Sequence, residues 1–135
     1  MKIIIYTDGA SRGNPGPASY GFTISGEHGK LLYEEGRYIG ISTNNVAEYT
    51  AVLEALKYVK KNLKKQSLEI ELFADSKLVV EQLSGRFKVK AKHLKPLIEQ
   101  IQILKVELGG AIHNHVPREK NTEADSLANL ALDSR

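Results

Sequence analysis

Apolar positions along the chain follow two periods, and the switches between them set the order of elements. Ile3, Ile4 and Ile5 open a run that ends in Tyr6-Thr7-Asp8-Gly9, and β-branched and aromatic residues of this kind suit a buried strand over residues 2–8. The breakers of Ser11-Arg-Gly-Asn-Pro-Gly-Pro17 reverse the chain. Tyr20–Ser25 alternates as a second strand and Lys30–Ile39 reads as a third, joined by Gly26-Glu-His-Gly29. Connections this short favour an antiparallel meander. The period then becomes helical: Val46, Tyr49, Val52, Leu53, Leu56, Val59 and Leu63 share one face of a helix from Thr43 to about Leu63. Within Thr43-Asn44-Asn45, Asn45 has Glu48 three residues on, the spacing of a capping box. Lys57, Lys60, Lys61, Lys64 and Lys65 complement the dipole at the far end.

Leu68–Asp75 is again an alternating strand closed by an acid. Coming after a long helix, it should lie parallel to the first strand with the helix as crossover. Lys77–Leu83 predicts a short helix stopped by Ser84-Gly85. Pro96, Leu97, Ile98, Ile101, Leu104 and Leu108 predict another, ended by Gly109-Gly110. Ala111–Val116 is the last strand and Thr122–Ala131 the last helix. The order β-β-β-α-β-α-α-β-α predicts an α/β domain over residues 1–135, with one mixed five-stranded sheet (three antiparallel N-terminal strands plus two parallel) flanked by helices.

Composition narrows the chemistry. The 135 residues are 41% hydrophobic, with no stretch suited to spanning a membrane. With no cysteine, a metal must be held by oxygen or imidazole. Met1-Lys2 runs straight into strand without a secretory signal, so cytoplasmic residence is expected, as a monomer. A net charge of +3 permits an anionic partner. No acid lies between Glu81 and Glu99, where Arg86, Lys88, Lys90, Lys92 and Lys95 accumulate. If that segment is extended, 86, 88, 90 and 92 share one side, and Phe87 and Val89 face the protein.

Four of the sixteen acidic residues sit at element ends. Asp8 and Asp75 close strands expected to be adjacent and parallel, where ligands of open sheets gather. Glu48 falls in the first turn of the crossover helix and Asp125 in the first turn of the last. Either of the latter alone is accounted for by the helix dipole, worth about 0.3–1 kcal/mol. Together they form a carboxylate cluster that repels itself unless something positive compensates. Mg²⁺ answers that need, taking oxygen ligands from carboxylates, water and phosphate. Two such ions roughly 3.5–4 Å apart can clamp both oxygens of an in-line phosphoryl displacement.

Thr7-Asp8-Gly9 with Asn14-Pro15-Gly16, Thr43-Asn44-Asn45-Val-Ala-Glu48, Ala74-Asp75-Ser76 and Asn121-Thr-Glu-Ala-Asp125 occur in the order and spacing of ribonuclease H type 1. The chain resembles that family in a compact form without its basic protrusion. The resemblance implies the ribonuclease-H-like fold, two Mg²⁺ ions (or Mn²⁺) held by Asp8, Glu48, Asp75 and Asp125, and cleavage of the RNA strand of an RNA–DNA hybrid to 5′-phosphate and 3′-hydroxyl ends. His115 matches the family's proton-shuttling histidine, and His113, of the same strand parity, is its rival. RNA is told from DNA by its 2′-hydroxyl, for which Gly9, Ser11, Asn14, Asn44 and Asn45 are the expected contacts. Thr43 would take a phosphate, and Lys88 and Lys90 would follow a backbone, with Phe87 as an alternative contact to a DNA sugar. The chain departs from the family in having no Trp and in placing Lys77 where relatives carry an amide; an N-terminal hybrid-binding domain is likewise not expected. Cleavage of double-stranded RNA as well, a resolvase-like DNA nuclease, and a non-catalytic duplex-binding module are the alternatives.

Overall fold

Five strands order as β3-β2-β1-β4-β5 in the computed structural model, which describes residues 1–63 and 67–135. In chain order they are β1 (Lys2–Ser11), β2 (Gly16–Ser25), β3 (Leu31–Ser42), β4 (Glu69–Ala74) and β5 (Ile112–His115). The helices are α1 (Asn44–Asn62), α2 (Lys77–Leu83), α3 (Lys95–Glu107) and α4 (Thr122–Asp133). Lys64 and Lys65, expected among the helix-end lysines, lie outside the described residues. β1 pairs antiparallel with β2, and β2 with β3. β4 lies parallel to β1 and to β5, with α1 as the crossover. The mixed sheet therefore has the predicted composition.

Several boundaries differ from the pattern-based ones. β1 runs on to Ser11 and β2 begins at Gly16, because only Gly13 and Pro15 of the breakers occupy the hairpin tip, which is closed by the Arg12 amide donating to the Pro17 carbonyl at 2.9 Å, while Gly16 and Pro17 already pair with β3. The cap of α1 is Thr43, whose backbone is extended and whose Oγ1 accepts the Val46 amide at 3.2 Å. Asn45 is already helical, so the Asn45–Glu48 capping box does not form, and Glu48 lies beyond the first turn. The dipole account of Glu48 loses its footing with it, since that effect fades within one turn.

Helices pack on both faces of the sheet. Ile3 and Ile5 of β1 and Tyr20, Phe22 and Ile24 of β2 are buried in one cluster with Val52, Leu56 and Val59 of α1, Leu83 of α2 and Ile101 of α3. Each large side chain removed from water there contributes about 1.5–3 kcal/mol. Strand alternation turns the intervening residues to the other face, where α4 packs over β1, β2 and β3. A Cβ on Gly21 would collide with the backbone of Ala124 and Ala128, and one on Gly36 with the Leu127 carbonyl. The Ser19 hydroxyl donates to the Ala128 carbonyl, and Asn121 Nδ2 donates to the Thr7 carbonyl at 2.9 Å. These bonds fix α4 along its length. No helix of the described residues is long and apolar enough to cross a membrane.

Candidate active site

Parallel pairing between β1 and β4 ends at Thr7↔Ala74, whereas β1 continues against β2 through Asp8↔Gly21. Asp8 and Asp75 are thus the first residues past the last parallel pair, side by side at the carboxyl ends of two central strands. Only 5% of Asp8 is exposed, and its Oδ1 accepts the Gly9 amide at 3.0 Å. Gly9 explains how Glu48 arrives. A Cβ there would overlap the backbone of Ala47 and the amide of Glu48, so the missing side chain lets α1 rest directly on β1. Ligand oxygens of Asp8, Glu48 and Asp75 all lie within 4.8 Å of one another. Asp125 stands outside that tight set but interacts with Asp8 from α4. All four acids line one cleft of about 480 Å³, together with Gly9, Ala10, Ser11, Asn44, Asn45, Ser76, Arg118 and Asn129.

The cluster is electrostatically unfinished. Burial, followed by the charges of Asp75 and Asp125, pushes the Asp8 carboxyl up to about 8. Burial and the charges of Asp8 and Asp75 drive Glu48 well above the usual carboxylate range. Glu48 Oε2 is buried with no hydrogen-bond partner, a costly state for an oxygen. Among the described residues, no Lys or Arg forms an ion pair with any of the four. Converging hard oxygen donors, one of them unpartnered, fit a divalent cation of the Mg²⁺ class.

Other residues singled out in the sequence divide between the cleft and its scaffolding. Gly9, Ser11, Asn44 and Asn45 line the cleft. The Ser11 hydroxyl already donates to the Gly13 carbonyl. Asn14 Oδ1 accepts the Asn44 amide at 3.0 Å and so ties the hairpin to α1, and Thr43 spends its hydroxyl on the helix cap. Lys88 and Lys90 line a second groove of about 560 Å³ with Gln82, Arg86, Phe87 and Asn45, so Asn45 stands between groove and cleft. Of the basic residues expected on one side, Arg86, Lys88 and Lys90 do line one groove and Lys92 does not, while Phe87 departs from its expected place. Phe87 is 47% exposed instead of facing the protein, because the chain leaves α2 through a turn and is not extended there. Arg86 is clamped to Glu81, with Nε at 2.5 Å and a terminal nitrogen at 3.0 Å, and Lys92 begins a 3₁₀ turn. Val89 does pack on the core.

The two histidines separate clearly. His115 ends β5, exposed, with Nε2 at 3.2 Å from the Asp75 carbonyl. His113 points into the protein, where burial, with Lys105 and Arg86 adding, lowers its pKa to about 3, and its Nε2 has no partner. Sequence reasoning missed Arg118, Ser76 and Asn129 in the cleft. Arg118 lies in a short 3₁₀ turn, Arg118–Lys120, that no periodicity signals. Asn129 had a visible sign, since four residues from Asp125 on a helix places it on the same face.

Residues 6–131 match the family described as Reverse transcriptase-like. The chain is 45% identical over 135 residues to a bifunctional protein of Mycobacterium tuberculosis, covering 99% of this chain but 36% of that protein, so it spans about a third of that relative's length. It is 35% identical over 147 residues to a ribonuclease H of Ruthia magnifica, covering 98% of this chain and 96% of that one. Among solved structures, LC11-RNase H1, isolated from compost and crystallised in complex with an RNA/DNA hybrid, superposes with a TM-score of 0.93 at 46% identity, over 98% of this chain and 97% of that one. Matches of this extent on both chains, around a carboxylate cleft at the predicted place, assign the chain to the type 1 ribonuclease H family of nucleases.

Proposed function

We propose that the chain cuts the RNA strand of RNA–DNA hybrids internally, using two Mg²⁺ ions, with Mn²⁺ as a substitute, and leaves 5′-phosphate and 3′-hydroxyl ends. The observation that carries this reading is the convergence of Asp8, Glu48 and Asp75 within 4.8 Å, with no ion pair to any of them among the described residues. When bound, the ions supply Lewis acidity that makes a water nucleophilic near neutral pH and offsets charge on the departing 3′-oxygen. Asp8, Glu48, Asp75 and Asp125 hold them. Arg118, which lines the same cleft, offers a planar fork of donors to a phosphate. His115, held at the Asp75 carbonyl, takes and releases protons, a contribution of about 10²–10⁴-fold for a positioned general acid–base.

Strand discrimination falls to uncharged groups. Asn44, Asn45 and the backbone near Gly9 and Ser11 bond 2′-hydroxyls of the strand seated in the cleft. Lys88 and Lys90 receive phosphates of the other strand, and exposed Phe87 rests against a sugar. Asn14 and Thr43 act one step back, by holding the hairpin and the start of α1.

The test is cleavage of end-labelled hybrid, double-stranded RNA and double-stranded DNA of equal length in Mg²⁺ and in EDTA, with product ends identified by phosphatase and ligase treatment. Hybrid cleavage that requires the metal and leaves ligatable 5′-phosphates is expected. Equal rates on double-stranded RNA would extend the substrate to any duplex with an RNA strand. Tight binding with no cleavage would make the chain a duplex-binding module.

A further inference from the structure

Asp8 is fixed by its own strand and the Gly9 amide, and Glu48 by the contact of α1 with β1. Asp75 follows directly on β4. Asp125 has none of these supports: it projects from α4 and stands outside the 4.8 Å set. Besides its contact with Asp8, its carboxylate is held from within α4 by Asn129, one helical turn on. Asn129 Nδ2 donates to the Asp125 backbone carbonyl at 2.9 Å and to Asp125 Oδ1 at 3.2 Å. The first bond anchors the amide to the helix, and the second transfers that rigidity to the carboxylate. Neighbouring Ala128 is itself pinned to β2 by the Ser19 hydroxyl, so the base of this arrangement does not drift. An amide is suited to the task because it donates without charge. A Lys or Arg at 129 would neutralise the acid and compete with an ion, whereas Asn leaves the full negative charge available.

We infer that Asn129 is the positioning residue for Asp125, holding Oδ1 so that the carboxylate faces Asp8 and is ready to ligate a divalent ion. The inference rests on the reading of Asp125 as a metal ligand. Loss of a side chain that orients a metal ligand weakens metal binding by about 10–100-fold. Asn129→Leu keeps the volume and removes the donor. Asn129→Gln restores a donor at the same helical spacing, where Gln–Asp pairs form readily.

The experiment measures Mn²⁺ affinity of the full chain without nucleic acid, by electron paramagnetic resonance of the free ion, for wild type, Asn129→Leu, Asn129→Gln and Asp125→Asn. Melting temperatures in EDTA check folding, and the Mg²⁺ concentration for half-maximal cleavage is the second readout. Expected is Mn²⁺ binding weakened at least tenfold in Asn129→Leu, within about threefold of wild type in Asn129→Gln, and an unchanged metal-free melting temperature. Wild-type Mn²⁺ affinity in Asn129→Leu alongside weakened binding in Asp125→Asn overturns the positioning role alone. Wild-type affinity in Asp125→Asn shows instead that the ligand reading of Asp125 has failed, and the role of Asn129 falls with it. Equal losses in the Leu and Gln variants also overturn the inference, because they would reflect disturbed packing and not the amide.

Discussion

Asp8→Asn should abolish cleavage and stabilise the metal-free fold, and the two effects have one cause. The Asp8 carboxyl, with an ordinary value of 3.8, is pushed up to about 8 in the folded chain by burial and by Asp75 and Asp125. Between pH 4 and 8 the folded state therefore keeps a proton that the unfolded state has released. Stability is fullest below the unfolded value and falls as pH rises through this window, by about 1.4 kcal/mol per pH unit. By pH 7 the loss amounts to roughly 4 kcal/mol, an upper bound because neighbouring acids share the proton. Asn carries no titrating proton, keeps an oxygen for the Gly9 amide and offers an N–H toward Glu48 or Asp125. Removing the penalty should raise stability by on the order of 2–4 kcal/mol at neutral pH, or roughly 5–15 °C in melting temperature for a chain of this size. Thermal unfolding of both proteins in EDTA at pH 5 and pH 8 reads this directly. The gap should be small at pH 5 and large at pH 8, and saturating Mg²⁺ should close it by stabilising wild type selectively. A gap that does not depend on pH, or an Asp8→Asn protein that melts below wild type at pH 8, would refute the reasoning.

His113→Leu should flatten acid sensitivity: the folded pKa of about 3 means that wild type loses stability as pH falls from about 6.5 towards 3. Melting curves at pH 4 and 7 should show Leu gaining on wild type at the lower pH, with hybrid kcat little changed. Gly9→Ala should cost more than about 2 kcal/mol, because the added methyl meets backbone of α1 and not a movable side chain; denaturant titration and Mn²⁺ binding should fall together. Changing Lys88 and Lys90 to Gln should raise KM, leave kcat nearly unaltered and reduce the slope of log binding against log salt by about two. Wild-type salt dependence in that double variant would place the second strand elsewhere.

The strands and the crossover helix were readable because hydrophobic period is written locally, and Asp8 and Asp75 followed once the strand order was argued. Glu48 and Asp125 were found as members of a set, though Glu48 does not lie in the first turn where the sequence placed it, because Thr43 and not Asn45 caps α1. The basic segment was misjudged because parity assumes a regular conformation, and the turn after α2 has none. The pairing of Arg86 with Glu81 crosses an element boundary that charge counting treated as an edge. Arg118 was invisible for a related reason. Its place in the cleft depends on how a short turn between β5 and α4 is folded against the sheet, which is tertiary information. Gly9 was expected as a contact to a 2′-hydroxyl, yet its lack of a side chain also serves the approach of α1, a contact between segments almost forty residues apart.

Asp8 and Asp125 lie more than a hundred positions apart in the chain, and α4, which supplies the latter, is the final element to leave the ribosome among those described. At roughly 5–20 residues per second, synthesis separates them by something like 6–25 s. During that interval β1, β2 and β3 lack the helix that covers one face of their sheet, and the carboxylate set is incomplete. Docking of α4 through Ser19, Gly21 and Gly36 therefore covers the sheet and completes the carboxylate set in one step.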